Sequence, residues 1–261
     1  HLNEVLKPSV WGHAWSIASY PKVDGVWVGA SRGEVQGYAQ FGERHGRHQA
    51  TIGIMAHETS HLIFGLPDLY DTDYSSEGIG VFGLMGGGTW GKKLTDKYSG
   101  QTPGLPCAWT KHTQKWVTTK NVKKGKRVIK AAGSSATGAS TVYKSTTGKA
   151  DEYFLIEFRN ASGYDKGLQS YLGKSFGGLA IWHVDDKIKN NKNDNHRWVD
   201  LEEVAGAEGL SKKNLWYKGN GVKFTHTSSP NSKRYDGKKS NVCIKKISKA
   251  GKKSIQATWG C

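Results

Sequence analysis

The stretch "AHETSHLIFGLPDLYDTD", residues 56–73, places two histidines and a glutamate within five residues of an otherwise apolar run. "TIGIMAHETSHLIF", residues 51–64, has neither proline nor glycine after Gly53. At 3.6 residues per turn it reads as a helix with Ile54, His57, His61 and Phe64 on one face. His57 and His61 are then one turn apart and can address a single ion, while Glu58 lies about 100° round the helix, beside the ion. Gly65 is a natural C-cap and Pro67 cannot continue the helix, so the chain turns sharply and can return Asp68 beneath the histidine face. Zinc takes neutral imidazole nitrogens and carboxylate oxygens, three from the protein, and keeps a fourth position for water. A glutamate next to that water can take its proton and deliver it to a leaving amine. The H-E-x-x-H pattern alone is common, and the helix-breaking G-L-P-D behind it is what turns the motif into a metal site.

The 261 residues suffice for one large domain or two smaller ones with a substantial core. Only 36% are hydrophobic and 34 are glycine, which excludes a helical bundle and suggests many turns and short strands. No apolar run approaches the ~20 residues of a membrane span. The chain begins at His1 without a secretory h-region, as a mature secreted form does after loss of its signal and pro-segment. Residues 1–116 hold 10 Lys/Arg against 10 Asp/Glu, and residues 117–261 hold 28 against 12, so the second half carries the whole net charge of +16. That asymmetry suits attachment to an anionic cell-surface or matrix polymer; nucleic acid is disfavoured because no recognition module is present. Three cysteines cannot all pair internally, and both Cys243 and Cys107 are candidates to bond Cys261.

The pattern changes near residues 116–120, so we divide the chain into a zinc-binding catalytic region, 1–116, and a strongly basic β-rich region, 117–261. Upstream of the helix, "GVWVGA" and "VQGYAQF" alternate as half-buried strands, and either offers an exposed edge for an extended substrate. "PGLPCAWTKHTQKWV" restarts a helix after two prolines. From Val117 on, "KRVIKAA", "STVYKS", "EYFLIEFRN", "GLAIWHVDD", "RWVDLEEV", "VKFTHT" and a terminal hairpin read as short strands of a mostly antiparallel β-sandwich-like region.

Taken in order, "HAWSI", "AHETSHLIFGLPDLYDTD", "GIGVFGLMGGGTWG", "AWTKHTQKWV", "EYFLIEFRN", "GGLAIWHVDD", "VDLEEVAG" and "SSPNSKRYDGKKSNVCIKKIS" resemble successive blocks of the immune inhibitor A-like family of secreted zinc metallopeptidases. The resemblance implies an α+β fold: a zincin-like catalytic region with an active-site helix, followed by the β-rich region. It implies a secreted zinc endopeptidase acting on proteins or peptides, with His57, His61 and Asp68 as zinc ligands and Glu58 as general base. Met85, in "GLMGGG", is implied to lie in a turn beneath the zinc. Three residues, "LIF", separate His61 from Gly65, one more than the family's spacing, which leaves Asp71 and Glu77 as alternative third ligands. His183 is either a core histidine or a group that approaches the site. Tyr70 and Tyr74 are both candidates to stabilise a tetrahedral oxyanion. Asp68, Asp71, Asp73 and Glu77 crowd oxygen donors on one loop, so calcium is a second candidate ion. Two rival functions remain: a non-catalytic cell-wall or polyanion-binding protein on the same fold, and a zinc amidase acting on peptidoglycan.

Overall fold

The computed structural model describes residues 12–17, 22–27, 30–32, 35–134, 141–205 and 208–261. Ahead of the helix, β1 (His13–Ser16), β2 (Ala30–Arg32) and β3 (Val35–Gln40) form an antiparallel sheet in the order β1-β3-β2. Among the described residues β3 is the central strand of this sheet, so "VQGYAQF" lies between two partners rather than at an edge, contrary to the expectation from its alternation. Val35–Gly37 pairs with β2 and Gly37–Gln40 with β1, which borders this sheet among the described residues. In "GVWVGA", Val26–Trp27 pairs with Lys22–Val23 in a short hairpin, and residues 28–29 lie outside the described residues, as does most of the turn "GSSATGAS".

Helix α1 spans Ile52–Phe64 and buries Gly53, His57, Glu58, Ser60 and His61. Its apolar residues Ile52, Met55, Ile63 and Phe64 are exposed, so the helix turns its polar, chemical face inward. Phe64 therefore leaves the face on which its spacing placed it, and its ring packs edge-on against Trp116, 4.8 Å between centroids. Gly53 permits the close seating of this helix: its N–H donates to the Gly100 carbonyl at 3.0 Å, and a Cβ there would lie 1.9 Å from the Thr89 carbonyl oxygen. At the other end Gly65 adopts the left-handed conformation at φ 63°, and the Gly65 and Leu66 N–H groups donate to His61 and Ser60 carbonyls.

After the short helix α2 (Ala108–Thr113), strands take over. A five-stranded sheet runs β9 (Val199–Leu201), β8 (Gly177–Asp185), β7 (Glu152–Asn160), β6 (Val142–Thr146), β4 (Thr119–Asn121). All its ladders are antiparallel except β4 with β6. A second antiparallel sheet runs β10 (Ile244–Lys245), β11 (Ser254–Trp259), β5 (Gly125–Lys130). The protein is thus mixed helix and antiparallel sheet, as its sequence pattern suggests.

All nine residues of β7 are buried, because both faces of its sheet are covered. Successive side chains alternate in direction. Tyr153 and Leu155 join a core with Leu66, Met85 and Trp109 from the helix-and-loop layer; Phe154, Ile156 and Phe158 join another with Ile129, Ile255 and Trp259 of the second sheet. The first core draws on residues from both sides of position 116, so the helix-and-loop layer rests directly on the five-stranded sheet.

Two strand assignments change. "VKFTHT" contributes only a bridge, in which Phe224 and Ile244 exchange backbone hydrogen bonds of 2.7 and 2.8 Å. Beyond it Thr225 N–H donates to Ser228 Oγ and Thr227 N–H donates to Thr225 Oγ1, closing a local turn. The terminal hairpin has a longer connection than "KAG", and Ile244 faces Trp259. This register brings Gly260 N–H onto the Cys243 carbonyl at 3.0 Å and allows the Cys243–Cys261 disulfide; Cys107 is a buried free thiol.

The fit at Gly53 gives a direct test of how α1 is seated. Gly53→Ala should lower stability by at least the roughly 1–3 kcal/mol typical of overpacking, despite alanine's better helix propensity. Urea unfolding of the variant checks this, and an unchanged midpoint would mean that the helix packs elsewhere.

Candidate metal centre

The histidines of α1 are fixed by backbone oxygens. His57 Nδ1 lies 3.0 Å from the Leu84 carbonyl and His61 Nδ1 2.5 Å from the Leu66 carbonyl. A carbonyl only accepts, so each Nδ1 carries the proton and donates it, leaving Nε2 as a bare lone pair in the neutral ring. The Leu66 carbonyl is in place because the Gly65 cap reverses the chain, and Leu66 and Leu69 then bury their side chains. The Leu84 carbonyl belongs to the glycine-rich turn, tied to the same loop by Leu69 N–H donating to the Met85 carbonyl at 2.8 Å. Met85 itself is buried in the core that also takes Leu66 and Leu69.

Three acceptor atoms therefore converge. Asp68 Oδ1 lies 3.0 Å from both Nε2 atoms, and these are 3.1 Å from each other. Lone pairs facing one another at this distance repel unless a cation lies between them. Tetrahedral donors about 2.0–2.2 Å from a zinc ion are separated by roughly 3.3–3.6 Å, so an outward shift of a few tenths of an ångström opens this triangle to the ion. The donor chemistry, two neutral imidazoles and one carboxylate, fits zinc.

Glu58 is buried beside the triangle and has no hydrogen-bond partner among the described residues. Burial raises its carboxyl above the ordinary value, with Asp68 adding to the rise and the imidazoles opposing it. Gly12, just ahead of β1, lies close to this carboxylate: a Cβ there would come within 3.7 Å of Glu58 Oε1. Tyr70 stands by the centre, its ring 6.3 Å from that of His57, whereas Tyr74 is 69% exposed.

The alternative ligands are engaged elsewhere. Asp71 spends its carboxylate on Ser75 Oγ at 2.8 Å and on the N–H groups of Ser76 and Asp73. Glu77 is exposed on the loop surface. His183 points to the opposite face of the five-stranded sheet, stacked between Phe154 and Tyr235 at 4.2 and 4.1 Å. Among the described residues the acidic loop gathers no ligand group of its own. Among the described residues the groups with ligand spacing are His57, His61 and Asp68, and His226 with Cys243 and Cys261, whose sulfurs are bonded to each other.

A network with no sequence motif holds the glycine-rich turn against the sheet. Arg159, fully buried on β7, donates to both oxygens of Asp165 at 2.6 Å, to the Phe82 carbonyl at 2.6 Å and to Glu157 at 3.1 Å. Lys111 of α2 and the Trp182 indole complete Glu157, at 2.5 and 3.2 Å. The only signal in the sequence is a pair of charges, Glu157 and Arg159, inside the apolar strand "EYFLIEFRN".

Comparison with known proteins bears on the first part of the chain. Residues 5–117 match the sequence model of the family described as immune inhibitor A peptidase M6, catalytic domain. Immune inhibitor A of Bacillus thuringiensis subsp. alesti is 33% identical over 104 residues, covering 36% of this chain and 13% of that protein. Pre-pro-metalloprotease PrtV of Vibrio cholerae is 29% identical over 106 residues, covering 40% of this chain and 11% of that protein. The matched stretch thus spans little more than a tenth of these relatives, and the blocks from "EYFLIEFRN" onward lie outside the family match.

His183 carries a pH signature separate from the metal centre. Burial would lower its pKa, but bonds to Glu152 at 3.0 Å and Glu202 at 3.2 Å, with both their charges, push it up to about 9. Because the folded state holds this proton more tightly than the unfolded chain, the stabilisation is complete below about pH 6.5 and is lost as pH rises through about 9. Relative to His183→Gln, the native chain should lose on the order of 3 kcal/mol of stability across that window. Urea unfolding at several pH values reads it, and parallel pH profiles would mean that His183 is neutral in the fold.

Proposed function

Since residues 5–117 are similar to the peptidase M6 catalytic domain, we propose that this chain is a secreted zinc-dependent endopeptidase whose metal ligands are His57, His61 and Asp68. The convergence of three acceptor atoms with no donor between them is the observation that carries the proposal. When bound, zinc supplies a Lewis acid and lowers the pKa of a coordinated water. Glu58 takes a proton from the attacking water and returns it to the leaving amine nitrogen as the peptide bond breaks. The Leu84 and Leu66 carbonyls hold both imidazoles in the tautomer that keeps Nε2 free. Tyr70, already beside His57, donates its hydroxyl proton in a hydrogen bond to the oxyanion that develops on the scissile carbonyl.

An extended substrate adds to the border strand β1, whose first residues lead from Gly12 past Glu58. The catalytic machinery lies in 1–116, and the β-rich region 117–261 serves as its platform. A purely structural zinc site or a polyanion-binding protein has no use for a buried, unpartnered carboxylate next to the ligands, which favours catalysis. The amidase alternative shares every one of these residues, and hydrolysis of casein rather than peptidoglycan separates it.

Glu58→Gln should keep about one zinc per chain yet lower turnover by several orders of magnitude, whereas His57→Ala or His61→Ala should lose the metal itself. Metal analysis beside a peptide-cleavage assay tests both, and near-normal activity in Glu58→Gln would eliminate the mechanism. Tyr70→Phe should lower kcat roughly 10²-fold with little change in KM. A change confined to KM would make Tyr70 a substrate-binding group instead.

A further inference from the structure

Away from the metal centre, at the end of the five-stranded sheet where Asn160 of β7 faces Gly177 of β8, the surface opens into a pocket of about 680 Å³. Five lysines line it, Lys174, Lys212, Lys218, Lys249 and Lys252, and no acidic residue does. Among the described residues none of the five forms an ion pair. Most other described lysines of the basic half likewise form no ion pair, Lys149 with Glu152 and Asp236 and Lys187 with Asp151 being exceptions, so what sets these five apart is their grouping around one concavity. Five like charges around a concavity repel one another and concentrate positive potential inside it, a cost that a bound anion relieves.

The pocket is built rather than incidental. Its lysines come from separate segments whose backbones are pinned: Asn160 Nδ2 donates to the Lys252 carbonyl at 2.8 Å, Gln169 Nε2 to the Lys174 carbonyl at 2.9 Å, and Lys218 N–H to the Ser248 carbonyl at 3.0 Å. The floor is packed tightly, since a Cβ on Gly177 would meet Ala250 at 3.1 Å and Asn160 at 3.3 Å. Phe176 and half-buried Tyr217 add aromatic surface, and the Tyr217 hydroxyl has no hydrogen-bond partner among the described residues.

We propose that this pocket binds a sulfated glycan, with lysine ammonium groups on the sulfates and Tyr217 against a sugar ring. The recognition chemistry selects that class. The cations are all lysine point charges, which attract anionic oxygens without demanding one fixed orientation of the group. Single-stranded nucleic acid needs a series of aromatic platforms for successive bases, and the pocket presents one half-exposed ring. An aromatic face with a free hydroxyl, ringed by ammonium groups, suits a sugar that carries several negative charges. The size lies within the range of sites that hold small ligands, here a few sugar units.

The experiment titrates a heparin-derived hexasaccharide into the full chain at about 0.1 M salt, where exposed charges are screened over ~10 Å. Removing three pocket charges together, Lys218→Ser, Lys249→Ser and Lys252→Ser, should weaken binding at least about 10-fold, a loss of roughly 1.4 kcal/mol. Removing three charges outside the pocket, Lys238→Ser, Lys239→Ser and Lys246→Ser, should weaken it less than about twofold, because only bulk attraction changes. Tyr217→Leu, which keeps every lysine, should also weaken binding several-fold. Equal losses in the two triple variants would overturn the site in favour of diffuse charge. Tighter binding of a single-stranded oligonucleotide of equal charge, or undiminished binding of the desulfated hexasaccharide, would overturn the ligand class. Cleavage of a short neutral peptide should be unchanged in every variant.

Discussion

Two backbone carbonyls decide what α1 can do. The Leu66 and Leu84 oxygens each take an Nδ1 proton from a histidine, and so aim both Nε2 lone pairs at one point. Each carbonyl is held by a different constraint. Leu66 is placed by a left-handed glycine cap at the end of the same helix. Leu84 depends on the glycine-rich turn, which Arg159 grips through the Phe82 carbonyl from the middle of the five-stranded sheet. The candidate metal centre is therefore assembled from local helix chemistry on one side and a tertiary ionic network on the other.

This dependence explains why the two regions share a core. A buried arginine without partners would be very costly, and here Asp165, Glu157 and two backbone carbonyls satisfy it. The network joins α2, the turn and β7. The exposed apolar side chains of α1 show the same logic in reverse: the inward face of that helix carries His57, Glu58 and His61, and the helix is seated closely at Gly53.

The helix, its break and the long strands were legible because each rests on short-range patterns: 3.6-residue spacing, a glycine cap followed by proline, and continuous apolar runs. What escaped was set by partners distant in sequence. Alternation made "VQGYAQF" look like an edge, but edge or centre depends on β1 and β2, which no local pattern reports. "VKFTHT" has strand composition, yet its hydroxyls bond locally and leave a single bridge. The Cys243–Cys261 bond required the hairpin register, which the turn length alone misplaced. Of the candidate site residues, His57, His61 and Asp68 are brought together and Glu58 stands beside them; Asp71, Glu77 and His183 are not at the centre. The carbonyls of Leu66 and Leu84 leave no side-chain signal at all.

Zinc K-edge absorption spectroscopy on the zinc-loaded chain tests the central claim most directly, because it reads the donor atoms themselves. The account predicts two imidazole nitrogens and a small number of oxygens at about 2.0–2.2 Å, in four-coordinate geometry and without sulfur. A sulfur shell near about 2.3 Å, or an all-oxygen shell without imidazole scattering, would contradict it.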